Sequence, residues 1–157
     1  MKFTVIKNIQ KNSPMSLILR GFLLFILIYL ISDIFVLKSS FGITFDGVNS
    51  TLFGNEELYI DAINEASFLE FWHTQIFFIM MILLTLSSIF IRVASMGRVI
   101  LTNTLMLSAI ISLISLPLAF YLSDFFTNIY VITYHLWHII ALIMILYALW
   151  KFNAASV

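Results

Sequence analysis

Four stretches of this chain are long and apolar enough to cross a bilayer, and they decide what it can fold into. The hydrocarbon core needs about 20 consecutive apolar residues per helix. The stretches run from about Met15 to Leu37, Leu69 to Ile91, Val99 to Leu122 and Ile129 to Trp150. Lipid offers no water to unpaired backbone groups, so each is expected to be a helix. Composition agrees: 62% of the 157 residues are hydrophobic and 10% charged, where soluble domains sit near roughly half and a quarter. A chain of this size has too little interior to hide the excess. A soluble enzyme, a nucleic-acid binder and a disordered tail are thereby excluded.

There is no cysteine. Disulfide frameworks, thiol redox motifs, iron–sulfur ligation and c-type haem attachment fall away together. The first stretch carries Arg20 and Asp33 near its ends. It exceeds the roughly 7–15 residues of a signal-peptide core and no small-residue cleavage site follows it, so an uncleaved anchor is expected. Ser13-Pro14 reads as an N-cap followed by proline in the first turn.

Orientation follows the basic residues near the span ends. Lys2, Lys7, Lys11 and Arg20 lie around the start of the first span, Arg92 and Arg98 flank the link between the second and third, and Lys151 closes the fourth. With both termini cytoplasmic, seven of the eight basic residues lie inside and only Lys38 outside. The acids take the other side: Asp33, Asp46, Glu56, Glu57, Asp61, Glu65, Glu70 and Asp124 fall at or beyond the outer ends. The expected architecture is an all-α membrane protein, one polytopic domain over residues 1–157, with four transmembrane helices in an antiparallel N-in/C-in bundle. The long connection, 38–68, is extracytoplasmic. Its first half reads as strand-like through Phe41, Ile43 and Phe45. Its second half, Glu56 to Ala66, reads as an amphipathic helix with Tyr59, Ile63 and Ala66 on one face.

Polar residues inside spans are the functional clues, because lipid penalises them unless they face protein or water. Glu70, His73, Thr74, Met81, Thr85 and Ser88 form a stripe on the second span. Thr104, Ser108, Ser112, Ser115 and Ala119 form one on the third, where close packing through small residues accounts for it. Pro117 is expected to kink that third span. All three histidines fall in the outer half: His73 on the second span, His135 and His138 on the fourth. Tyr134 stands one turn from His138 and Tyr130 a turn beyond, while Asp33 and Asp124 bring carboxylates to the same end.

Three chemistries fit this gathering. His73 with His135 or His138 supplies two imidazoles from different helices for haem b. The same histidines with Glu70 suit a metal ion; copper or zinc accepts three histidines more readily than iron, and Glu70-x-x-His73 is half of a di-iron pattern. A proton or solute relay through His and Asp is the third. Beside them stands plain structural hydrogen bonding: Ser67 and Glu70 fit a capping box, and Trp72, Trp137, Tyr130 and Tyr134 fit an aromatic belt.

Gly54-Asn55-Glu56-Glu57, then Ser67-Phe68-Leu69-Glu70 and His73-Thr74, resembles a group of uncharacterised small four-span inner-membrane proteins of Gram-negative bacteria. The resemblance covers about a fifth of the chain and implies an inner-membrane location and no particular chemistry. Two functions follow: a small multi-pass inner-membrane protein that binds haem b or a copper, zinc or iron ion at its outer end, or a non-catalytic accessory subunit whose stripes dock a membrane partner or a second copy. A transporter is disfavoured, since no broken helix pair marks the midplane. No serine–histidine–acid spacing indicates an enzyme.

Overall fold

The computed structural model describes residues 13–95 and 97–154; Lys2, Lys7 and Lys11 lie outside the described residues. Helix α1 spans Ser13–Ser40, α2 Phe45–Phe53, α3 Glu65–Val93, α4 Arg98–Tyr121 and α5 Phe125–Ala154. Among the described residues four helices, α1, α3, α4 and α5, are long and apolar enough to cross a membrane. At about 1.5 Å per residue the 28, 29 and 30 residues of α1, α3 and α5 extend past a hydrocarbon core of about 30 Å. The described ends of α1 and α5 lie together, opposite the 41–64 segment. That segment's side of the bundle is called the loop end below.

The buried positions recur every seven residues on all four long helices. They are Ser16, Leu23, Leu30 and Leu37 on α1; Phe68, Gln75, Ile82 and Ile89 on α3; Thr102, Ala109 and Leu116 on α4; and Thr127, Tyr134, Ala141 and Ala148 on α5. A second row falls between them, for example Ile26 and Asp33 on α1 or Tyr130, Trp137 and Met144 on α5. A 3.5-residue period is what a left-handed bundle of packed helices requires. Helix α5 is the hub, touching α1, α2, α3 and α4, and its pairing with α4 is the most extensive. Small residues explain that closeness. Ala109, Ser112, Ser115 and Ala119 on α4 and Ala141 and Ala148 on α5 are all buried, and such residues let backbones approach. Ser108 returns its hydroxyl to the carbonyls of Thr104 and Leu105, so the polar stripe of this span is absorbed by packing.

Helix α4 runs unbroken through Pro117. Proline has no N–H, so the Leu113 carbonyl four residues earlier loses its helical donor. Trp72 of α3 replaces it, donating Nε1–H to Leu113 O at 2.8 Å. An orphaned carbonyl in lipid is thus satisfied from the neighbouring helix, and a residue expected in the aromatic belt becomes a backbone partner.

The connection between α1 and α3 reverses the sequence expectation. Its first half is the helix: Thr44 caps α2 by accepting from Gly47 N, and Val48 and Leu52, one turn apart, are buried. Three alternating apolar residues could not outweigh this cap and stripe. Gly42, at φ +89°, allows the tight reversal; a Cβ there would sit 2.5 Å from the Gly47 carbonyl carbon. The second half is a 3₁₀ turn at Glu56–Leu58, a bridge between Asn55 and Ile60, and extended chain. Asn55 and Asn64 end regular structure there, because their side chains capture Leu58 N and Ser67 N. Asn64, rather than Ser67, is therefore the cap of α3, and the capping box at Ser67 and Glu70 does not form.

Candidate functional site

Helix α1 is the least enclosed of the long helices, and a buried polar cluster joins it to α5. Asp33 is buried in the α1 seam, on the loop side of Leu23, Ile26 and Leu30. Its Oδ2 accepts from Tyr134 OH at 3.1 Å and lies 3.2 Å from His138 Nε2. Its Oδ1 receives Tyr29 OH, one turn back on α1, at 3.4 Å. Tyr134 and His138 are four residues apart on α5, so both reach the same carboxylate. His138 lies 13 residues into α5, about 20 Å from its start, well inside any membrane.

The ring of His138 is fixed by its neighbours. The Tyr134 and Trp137 rings lie tilted against it, their centroids 4.1 Å and 3.8 Å away. Nδ1 lies 3.0 Å from the Tyr134 carbonyl oxygen, which can only accept, so Nδ1 carries a hydrogen. One proton then remains between Nε2 and Asp33. Either His138 is an imidazolium facing a carboxylate, or it is a neutral imidazole facing a carboxylic acid. Both forms are net neutral, which is the condition for placing ionisable groups in hydrocarbon. Tyr130 continues the column toward the loop end, its ring 5.8 Å from that of Tyr134.

At the opposite end Arg20 makes a second polar link between the same helices. Its Nη2 donates to the Phe152 carbonyl at 2.6 Å, and its guanidinium lies 6.0 Å from the Phe152 ring. A cation at the last turn of α5 meets carbonyls that the helix leaves unpaired.

Of the residues singled out by sequence, Asp33, Tyr134 and His138 come together and the others do not. His135 is exposed and turns Nδ1 back to the Val131 carbonyl at 2.7 Å. Its offset from His138 is about 60° around the helix, enough to leave one histidine in the seam and the other outside. His73 and Glu70 are exposed on α3, and Asp124 is exposed in the turn before α5. Among the described residues no three His, Cys, Asp or Glu side chains converge as a metal site. The three-histidine set expected for a metal ion is therefore not assembled among the described residues, and His138, one of the two candidates to pair with His73 on haem b, has both nitrogens engaged within the chain. Tyr130, Tyr134 and Trp137, expected at the lipid interface, are buried instead. Tyr29 is an addition; its signal was its place four residues before Asp33 on the same face. An open hollow of about 640 Å³, lined by residues such as Phe53, Asn55, Glu56 and Tyr59, belongs to the connecting segment.

A family model described as a transmembrane helical domain matches residues 42–155. The match takes in Tyr134 and His138 and begins after α1, which supplies Asp33. No curated protein and no solved structure matches the chain.

Unfolding in mild detergent checks this geometry. Asp33→Ala strands His138 beside an empty site and is expected to cost about 3–5 kcal/mol, as for other broken buried pairs. Tyr134→Phe removes one hydroxyl and is expected to cost about 0.6–1.7 kcal/mol, the range for hydrogen bonds between membrane helices. His73→Ala and His135→Ala should stay within about 0.5 kcal/mol. A loss at His135 equal to that at Asp33 would contradict the assignment.

Proposed function

The chain belongs to this family of transmembrane helical domains, and we propose that it is a multi-pass inner-membrane protein that takes up and returns one proton at its buried Asp33–His138 pair. The observation that carries the reading is the engagement of both His138 nitrogens, Nδ1 by a backbone carbonyl and Nε2 by Asp33. The pair is therefore one hydrogen-bonded unit. As the resting pair it holds one shared proton and no net charge. Acidification adds a second proton, leaving an imidazolium beside a carboxylic acid; the pair returns to neutrality when that proton leaves. Tyr134 and Tyr29 keep hydrogen bonds to Asp33 through the change and hold the carboxyl in place.

Intramembrane Asp–His groups are characteristic of proton-handling sites. Haem b and metal ligation fit less well, because His138 would have to surrender Asp33 and the other histidines point elsewhere. The basic residues support an orientation with both termini cytoplasmic, which puts the loop end and the pair toward the extracytoplasmic side. A reporter fused after Val157 reads this directly: cytoplasmic on this reading, extracytoplasmic against it.

Infrared difference spectroscopy of the reconstituted protein tests the proton itself. Across about pH 4–8, acidification should raise a carboxylic-acid C=O band from an imidazolium–carboxylate pair, or shift an existing one as the imidazole of an imidazole–carboxylic acid pair gains its proton. It should vanish in Asp33→Asn and shift its midpoint in His138→Gln. No Asp33-dependent band anywhere in that range would reduce the cluster to a fixed structural pin.

A further inference from the structure

The surroundings of the Asp33–His138 pair differ on its two sides. Toward the loop end, Thr127, Tyr130, Tyr134 and His138 follow one another by three, four and four residues, so they share one face of α5. All four are buried. The row runs from about 3 Å to about 20 Å inside the start of the helix. Its outer hydroxyls are spare. Thr127 is fully enclosed, and its Oγ1 has no partner among the described residues. The Tyr130 hydroxyl bonds to none of them either. On α2, which packs against α5, the Asn49 Oδ1 is likewise buried and unpartnered. Trp137, its ring 3.8 Å from that of His138, keeps an enclosed Nε1–H that lacks an acceptor. Buried polar atoms are rarely left unpaired, and internal water is the partner available to those without a protein group.

On the other side of the pair the same face of α5 continues with Ala141, Ile145, Ala148 and Phe152, each 0% exposed. Helix α1 runs back through Leu30, Ile26 and Leu23, also buried. No buried polar side chain of either helix stands between the pair and Arg20, a stretch of about 20 Å along α1.

Resting on the proton-exchange reading, we propose that the Thr127 and Tyr130 hydroxyls, joined by water, connect the pair to the aqueous phase at the loop end alone. Each hydroxyl or water passes its own proton inward as it accepts one from outside. The pair gains one proton, the loop-end phase loses one, and no member of the row changes its protonation. The apolar seam beyond has no group to accept the proton and hand it on. The pair thus reports the acidity of one face and conducts nothing across the membrane. The titratable groups facing it are Tyr29 from α1 and Tyr134 from α5, with Tyr130 a turn farther. Asp46 on α2, Glu65, Glu70, His73 and Arg92 on α3, and Arg98 and Tyr121 on α4 are exposed.

Sealed vesicles holding the full chain in one orientation test the path, with the acidity of each face set separately and the Asp33-dependent infrared signal recorded. Acidifying the loop-end face should produce the whole change, and acidifying the other face none of it. Tyr130→Phe and Thr127→Val each remove one hydroxyl and should slow the change roughly tenfold, equivalent to about 1.4 kcal/mol on the barrier, with the final amplitude kept. Hydration is read without any proton. The chain has no cysteine, so Thr127→Cys should be modified by a membrane-impermeant thiol reagent from the loop-end face, and Ala141→Cys from neither face. A signal that answers both faces equally, an unchanged rate in both hydroxyl deletions, or an unreactive Thr127→Cys would overturn the one-sided path and leave proton exchange standing. A signal that answers neither face would overturn both.

Discussion

The contact between Asp33 and His138 is the constraint around which the arrangement of α1 is organised. Lipid supplies no water to either group, so each must find its partner in protein. Neither α1 nor α5 can satisfy its own member of the pair. Asp33 would otherwise interrupt a leucine-rich seam, and His138 would keep only its bond to the Tyr134 carbonyl. The pairing therefore sets both the face α1 presents and its height along α5. Arg20, bonded to the Phe152 carbonyl, fixes that height again at the far end. Two polar links separated by an apolar seam define one register, whereas the seam alone would tolerate a slide by one heptad.

The rest of the bundle is held by different means. The α4–α5 pair relies on alanines and serines that permit close approach, and α3 supports α4 by supplying Trp72 to the carbonyl that Pro117 leaves without a donor. These contacts lie within the segment matched as a transmembrane helical domain, residues 42–155. Helix α1 adds the acid that pairs with His138. Helix α5 thus turns separate faces to its two neighbours: one packs tightly on α4, and the other receives the ionisable side chain of α1.

The spans were legible because length and apolarity are properties of whole segments. Which face of each span turns inward was not. The stripes on α3 and α4 have similar spacing, yet one is exposed and the other buried. Size decides: Ser108, Ser112 and Ser115 fit a close helix contact, while Glu70 and His73 need room and partners. His135 and His138 lie three residues apart and separate for a related reason, since the α5 seam admits only one of them. Around α3 the capping residue moved from Ser67 to Asn64 because both types cap well and only the path of the incoming chain distinguishes them. Asp33, Tyr134 and His138 were each visible as ionisable or polar groups of similar depth. Their convergence depended on α1 packing against α5 as well as α3, a matter of long-range arrangement.

Nitrogen-15 NMR of the His138 ring in lipid bilayers tests the central pairing most directly. The account predicts a protonated Nδ1 and an Nε2 resonance that moves when Asp33 is replaced by Asn, with the His135 signal unchanged. A bare Nδ1, or an Nε2 indifferent to that substitution, would contradict it.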